Sequence, residues 1–164
     1  MEINTRSEYI RRSVSKYVNF AILIVLLFLL SPRVFEMVKL GINRTKWHFY
    51  NVEHYRFQLN ALCHCLQMDI TPVTIEVLNG KVVAITGEDG THLEQNAEYL
   101  SVLGDNKTAE GLFDQIQREN FKDDVIQVTY DGKNGFPLVM IFDRIRNGID
   151  DELVYVVKNF EVLP

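Results

Sequence analysis

The chain has 164 residues, 22 acidic and 17 basic side chains and a net charge of −5, enough length for one globular domain with a buried core of its own. From residue 42 onward there are 19 Asp plus Glu against 11 Lys plus Arg, a net −8. That balance argues against nucleic acid, whose phosphates need a basic face, and against adhesion of this part to anionic headgroups.

Residues 17–30 are the one long apolar run, and Arg6, Arg11, Arg12 and Lys16 precede it. The basic flank predicts a cytoplasmic tail over residues 1–16, with everything past about residue 40 carried across the membrane. A helix spanning a bilayer takes about 20 apolar residues. The run has 14 before Ser31, Pro32 and Arg33 interrupt it, and Val34, Phe35, Met37 and Val38 extend it if Arg33 snorkels toward the headgroups. No Ala-x-Ala cleavage site follows. The reading is an uncleaved signal-anchor over residues 17–38, with a cleaved signal peptide and a buried core helix as alternatives. Residues 39–46, with Gly41, Asn43 and Arg44, read as a linker or as a helix continuing out of the membrane. Residues 47–164 read as the exported domain.

Within that domain residues 55–62 alternate with period two, placing Tyr55, Phe57, Leu59 and Ala61 on a buried sheet face. Val73, Ile75 and Val77 alternate with Thr74 and Glu76. Asn79-Gly80 then supplies two residues tolerant of positive φ, and residues 81–86 run back, which predicts a hairpin with a type I′ turn. Residues 87–107 read as a polar loop around a helical turn near residues 94–100. Thr108 offers an N-cap hydroxyl, Glu110 suits the first turn, and Ala109, Leu112, Phe113 and Ile116 recur on one helical face. Residues 125–130 and 136–142 are β-rich and joined by Asp131-Gly132-Lys133-Asn134-Gly135. Residues 153–163 give a last strand, bulged where the alternation changes phase near Lys158 and Asn159. The order predicts an α+β fold, a mainly antiparallel sheet of five to six strands with one packed amphipathic helix, behind an N-terminal transmembrane helix.

Chemistry-bearing residues are few. Cys63 and Cys65 flank His64, and an exported cysteine pair reads first as a disulfide. The same three residues, joined by His48, His54 or His92, suit a soft Zn or Cu(I) site, and a thiol redox role is the third reading, although redox centres usually carry Cys-x-x-Cys. Tyr130, Asp131 and Phe136 frame a ligand rim, and the same segment also reads as turn chemistry, with Asp131 bonding amides, Gly135 supplying positive φ and Pro137 opening a strand. Asp123-Asp124 and Asp150-Asp151-Glu152 lack a calcium-loop register and read as solvated loops. Glycine-rich phosphate loops and a Gly-x-Ser-x-Gly elbow are absent, so no cofactor and no enzyme activity are expected. Asn43-Arg44-Thr45 and Asn106-Lys107-Thr108 match the N-glycosylation pattern, which matters only in a eukaryotic secretory pathway.

Trp47, Tyr55-Arg56-Phe57, Cys63-His64-Cys65, Pro72-Val73-Thr74-Ile75-Glu76-Val77, Asn79-Gly80-Lys81-Val82, Leu112-Phe113, Tyr130-Asp131 and Gly135-Phe136-Pro137 follow one another in an order similar to a family of bacterial exported proteins classed only as a domain of unknown function. The likeness covers about residues 47–163. Gly132 stands where Pro is expected after Tyr-Asp, and Leu138 where Thr is expected after Gly-Phe-Pro. No lipobox cysteine is present, so anchoring would be by helix. The resemblance implies export and a small α+β domain, and it supplies no catalytic residue. The expectation is a bacterial inner-membrane, single-pass protein whose periplasmic domain binds an envelope protein or a ligand and not nucleic acid. The alternative is thiol redox or metal handling through Cys63 and Cys65.

Overall fold

The computed structural model describes residues 16–23, 31–62, 72–94, 100, 103–122, 125–143 and 152–164. The chain forms two compact units, residues 1–35 and 36–164. In the first, residues 16–23 are helical, and Tyr17, Val18, Phe20, Ile22 and Leu23 are exposed. Residues 24–30, the other half of the apolar run, lie outside the described residues.

Among the described residues no helix is long and apolar enough to cross a membrane, so the expected transmembrane helix over residues 17–38 finds no support here. The reason is local. Helix α1 (Pro32–Tyr50) takes residues 32–38 and carries Arg33, Glu36 and Lys39, which makes them part of an amphipathic helix rather than an apolar extension. Residues 39–46 are helical in α1 and not a linker.

The larger unit is built on a six-stranded sheet in the order β3-β2-β1-β6-β5-β4, every neighbouring pair antiparallel. The strands are β1 (His54–Leu62), β2 (Val73–Leu78), β3 (Lys81–Gly87), β4 (Val125–Tyr130), β5 (Pro137–Asp143) and β6 (Glu152–Val162). β1 alternates as expected, with Tyr55, Phe57, Leu59 and Ala61 buried. Asn79 and Gly80 have φ of 51° and 73°, the positive pair that a type I′ turn demands. The phase change in β6 is real: pairing with β1 shifts register between Arg56 and Gln58, and Asn159 has φ of 50°. Helix α2 (Ala109–Phe121) begins where Thr108 accepts a hydrogen bond from the Gly111 amide at 3.0 Å, and it buries Ala109, Leu112, Phe113 and Ile116.

Two helices pack on the sheet where the sequence suggested one. Leu40, Asn43 and Trp47 of α1 are buried at steps of three and four, which is one helical face. A polar residue at the centre of that face, with basic residues on either side, hides the stripe from a reading by hydropathy. Leu40 and Trp47 share one core cluster with α2 and the inward side chains of the strands.

Candidate functional site

The loop between β4 and β5 is where the expected rim residues lie. The Asp131 amide donates to the Phe136 carbonyl at 2.8 Å, and the Gly135 amide donates to the Asp131 carbonyl at 2.9 Å. Asp131 Oδ1 accepts from the amides of Lys133 at 2.8 Å and Asn134 at 2.9 Å, and Asn134 Oδ1 accepts from the Phe136 amide at 2.8 Å. Each short polar side chain thus replaces a missing backbone partner, the local chemistry that makes Asp and Asn turn formers.

This turn is also a tertiary contact. A Cβ on Gly135 would run into the backbone oxygen of Asn43 in α1, and Gly135 has φ of 79°, so only glycine lets turn and helix approach this closely. Asn43 donates through Nδ2 to the Lys39 carbonyl at 2.8 Å, which satisfies the amide it buries. Phe136 is 0% exposed and sits against Phe160 at 4.6 Å, Trp47 at 5.2 Å and Phe57 at 5.3 Å between ring centroids. It belongs to the core and does not line a rim beside Asp131.

Tyr130 packs its ring on Phe113 at 6.4 Å, with Lys39 Nζ 5.8 Å from the ring centroid. Its hydroxyl oxygen is buried and has no hydrogen-bond partner among the described residues. Burial holds the phenol well above its ordinary titration range, and the negative charge of Glu36 adds to that. Lys39 Nζ donates to the Val128 carbonyl at 2.5 Å and lies 3.3 Å from Glu36 Oε1. Tyr130 and Asp131 are neighbours in sequence with different work: one braces α1 and α2, the other closes a turn.

α1 and α2 are joined by an ion cluster that no local pattern announced. Arg44 donates through Nε and Nη2 to Glu110 Oε2 at 3.0 and 2.6 Å and through Nη1 to Gln117 at 3.3 Å. It also pairs with Asp114 at 2.8 Å. Partial burial works against the Arg44 charge, and the two carboxylates outweigh that and hold its pKa above the ordinary value. Tyr55 ties in the first residue of α2: its hydroxyl accepts from the Ala109 amide at 2.9 Å. Burial, with the charge of Glu110 beside it, pushes the Tyr55 phenol up to about 12 against the lowering effect of that amide.

Cys63, His64 and Cys65 lie outside the described residues, in the connection from β1 to β2, as do Asp123, Asp124, Asp150 and Asp151. The disulfide, metal and redox readings all fall there. Of the other histidines, His48 faces Glu110 at 3.5 Å. His54 sits between Glu76 Oε1 at 2.9 Å and the Pro164 carbonyl at 3.0 Å. Among the described residues no group of three or more His, Cys, Asp or Glu is placed to hold a metal ion.

Sequence reasoning passed over the second face of the sheet. Val139 pairs with Val156 and Ile141 with Val154, all four half-buried and on the face opposite Met140, Phe142 and Tyr155. Leu62, opposite Val154 in β1, extends the patch and is 57% exposed. The signal was present as unbroken apolar runs in β5 and β6. A strand that faces water on one side alternates with polar residues, and these two do not.

The chain belongs to a family of unknown function, DUF6174, whose match covers residues 39–162. Neither a curated protein nor a solved structure matches it.

Proposed function

We propose that this member of the family is a membrane-tethered, extracytoplasmic binding module, without catalytic activity of its own, whose ligand is a protein of the cell envelope. The observation that carries the binding role is the outer sheet face. Val139, Val156, Ile141 and Val154 form two adjacent β-branched cross-strand pairs, continued by Leu62 at the next strand. Contiguous apolar surface of this kind marks interaction sites. Tethering rests on the sequence: the apolar run 17–30 behind Arg6, Arg11, Arg12 and Lys16, with the N-terminus in the cytoplasm. Photoreactive residues in place of Ile141 or Val154 are expected to give a discrete heterologous adduct in cells, and one in place of Arg118 on α2 is not. Equal labelling from all three positions overturns the binding role. A C-terminal phosphatase fusion that is inactive outside the cytoplasm overturns the topology.

The alternative role, thiol redox or metal handling, draws on Cys63 and Cys65 being the two cysteines of the chain and flanking His64. Stoichiometric Zn or Cu in the purified protein, lost when both cysteines are changed to Ser, supports it. Metal-free protein with fully alkylatable thiols removes the metal reading.

A further inference from the structure

Helix α1 has a second apolar stripe that the core does not use. Val38, Ile42, Thr45 and Phe49 recur at steps of four, three and four, which puts them on one side of the helix. All four are exposed, Val38 and Ile42 at 54% and Phe49 at 86%. Leu40, Asn43 and Trp47 are the buried residues of the same helix. At 100° per residue the two sets lie on nearly opposite sides, so α1 has one apolar face on the sheet and one in solvent. Phe35, in the preceding unit, continues the spacing in sequence and is 65% exposed.

Charge identifies the occupant. The acidic total of residues 42–164 hides a segregation. α1 carries Arg33, Lys39, Arg44 and Lys46 against the single acid Glu36, while residues 51–164 carry nine basic side chains against 19 acidic ones. Arg44 is taken up by Glu110 and Asp114, and Lys39 by Glu36 and the Val128 carbonyl. Lys46 is exposed and sits beside the stripe. Large apolar side chains on a solvent face, flanked by lysine, fit a helix lying in the headgroup region of an anionic bilayer. A second copy of the chain fits less well, because Lys46 stands beside the stripe and no acid on α1's solvent side complements it across a helix pair.

We infer that the outward face of α1, with Ile42 and Phe49 as its inserted side chains and Lys46 at the phosphates, docks on an anionic lipid surface and holds the domain against the membrane. The stripe from Val38 to Phe49 is about 16 Å long at 1.5 Å per residue, long enough to lie along the interface as a unit. The inference rests on the membrane tethering proposed above, and it adds a second, peripheral contact to the anchor.

The test uses the full chain in vesicles of phosphatidylcholine, with and without phosphatidylglycerol. Trp47 is the single tryptophan and is buried, so it sets a low baseline. Ile42→Trp and Phe49→Trp should each be quenched by brominated lipid about threefold more than the parent and be shielded from aqueous iodide. Phe121→Trp, at a position 65% exposed on α2, should respond to iodide alone. Lys46→Glu in the Phe49→Trp chain should weaken the lipid quenching about twofold in anionic vesicles and leave it unchanged in neutral ones. If the protein floats with vesicles but Ile42→Trp and Phe49→Trp behave like Phe121→Trp, the docked helix is wrong and the anchor stands. A chain that does not float overturns both. Protection from iodide without lipid quenching means that a second protein chain covers the stripe, and overturns the lipid surface as its occupant.

Discussion

The Asn79-Gly80 turn and the turn from Asp131 to Phe136 close hairpins at the same end of the sheet, and each turns on Asn or Asp beside a glycine at positive φ. Around Gly80 nothing lies within 4 Å of an added Cβ, whereas around Gly135 the Asn43 backbone fills that space. The first turn carries no helix, and beyond its own two strands it reaches only the Glu53 carbonyl ahead of β1. The second is the seat of α1, and Phe136 next to it touches Trp47 of the helix and Phe57 and Phe160 of the sheet. Turn chemistry readable from four or five residues therefore says how the chain reverses, and is silent on what the reversal packs against.

Substitution separates the two turns most sharply. Gly135→Ala combines left-handed backbone with a collision against fixed backbone, and should destabilise the domain by about 3 to 5 kcal/mol. Gly80→Ala meets only the left-handed strain, about 1 to 2 kcal/mol. Urea unfolding of both variants checks the pair, and equal losses would mean that the contact with α1 is not made in solution. Phe136→Ala removes a fully buried ring, an expected loss of about 3 to 5 kcal/mol. If Phe136 instead lines a rim open to ligand, the loss stays near zero.

Next in size is Tyr55→Phe. It keeps the ring in the aromatic cluster and deletes the acceptor of the Ala109 amide. A buried donor left unpaired costs about 1 to 3 kcal/mol, and the damage should localise to the start of α2. Hydrogen exchange that rises at residues 109–112 and not at 131–136 would show that the helices are seated independently.

Much of the domain was legible because its signals are local. Thr108 and Glu110 marked the start of α2, period-two alternation gave β1 and β2, and the phase slip at Lys158 and Asn159 marked the bulge. What was not legible depends on partners far away in sequence. Arg44 meets Glu110 and Asp114 from another helix, Lys39 finds the Val128 carbonyl, and Asn43 meets Gly135; none of these pairs has a spacing to recognise. Residues 39–46 looked like a linker because their one buried polar residue is satisfied by a carbonyl four residues back, a fact invisible to hydropathy. Phe136 looked like a rim residue beside Tyr130 and Asp131, and its contacts with Trp47, Phe57 and Phe160, all distant in sequence, make it core. The cysteine segment stays a reading of sequence, since residues 63–71 lie outside the described ones.

The smallest expected effect tests the surroundings of the open turn. The Asn79 amide donates to the Glu53 carbonyl at 2.7 Å, and next to Glu53, His54 faces two acceptors, the Glu76 carboxylate at 2.9 Å and the Pro164 carbonyl at 3.0 Å. A neutral imidazole has one N–H and can serve only one of them, while the imidazolium serves both. Its pKa is accordingly raised above the ordinary 6.5, first by the hydrogen bond to Glu76 and then by the Pro164 carbonyl. The sign follows: the folded state holds the proton more tightly, so this stabilisation is complete below 6.5 and is lost as pH rises through the higher folded value. His54 and Glu76 are half-buried and still reached by solvent, so the amplitude should be small. In His54→Gln the stability deficit relative to the parent should shrink as pH rises from about 6 to about 8, and Glu76→Gln should flatten most of that dependence. Exchange at residues 53–54 and 78–80, corrected for its intrinsic pH dependence, should quicken over the same interval while residues 131–136 stay unchanged. A deficit constant with pH would show that His54 acts here as a neutral spacer, and would leave the two turns differing in packing alone.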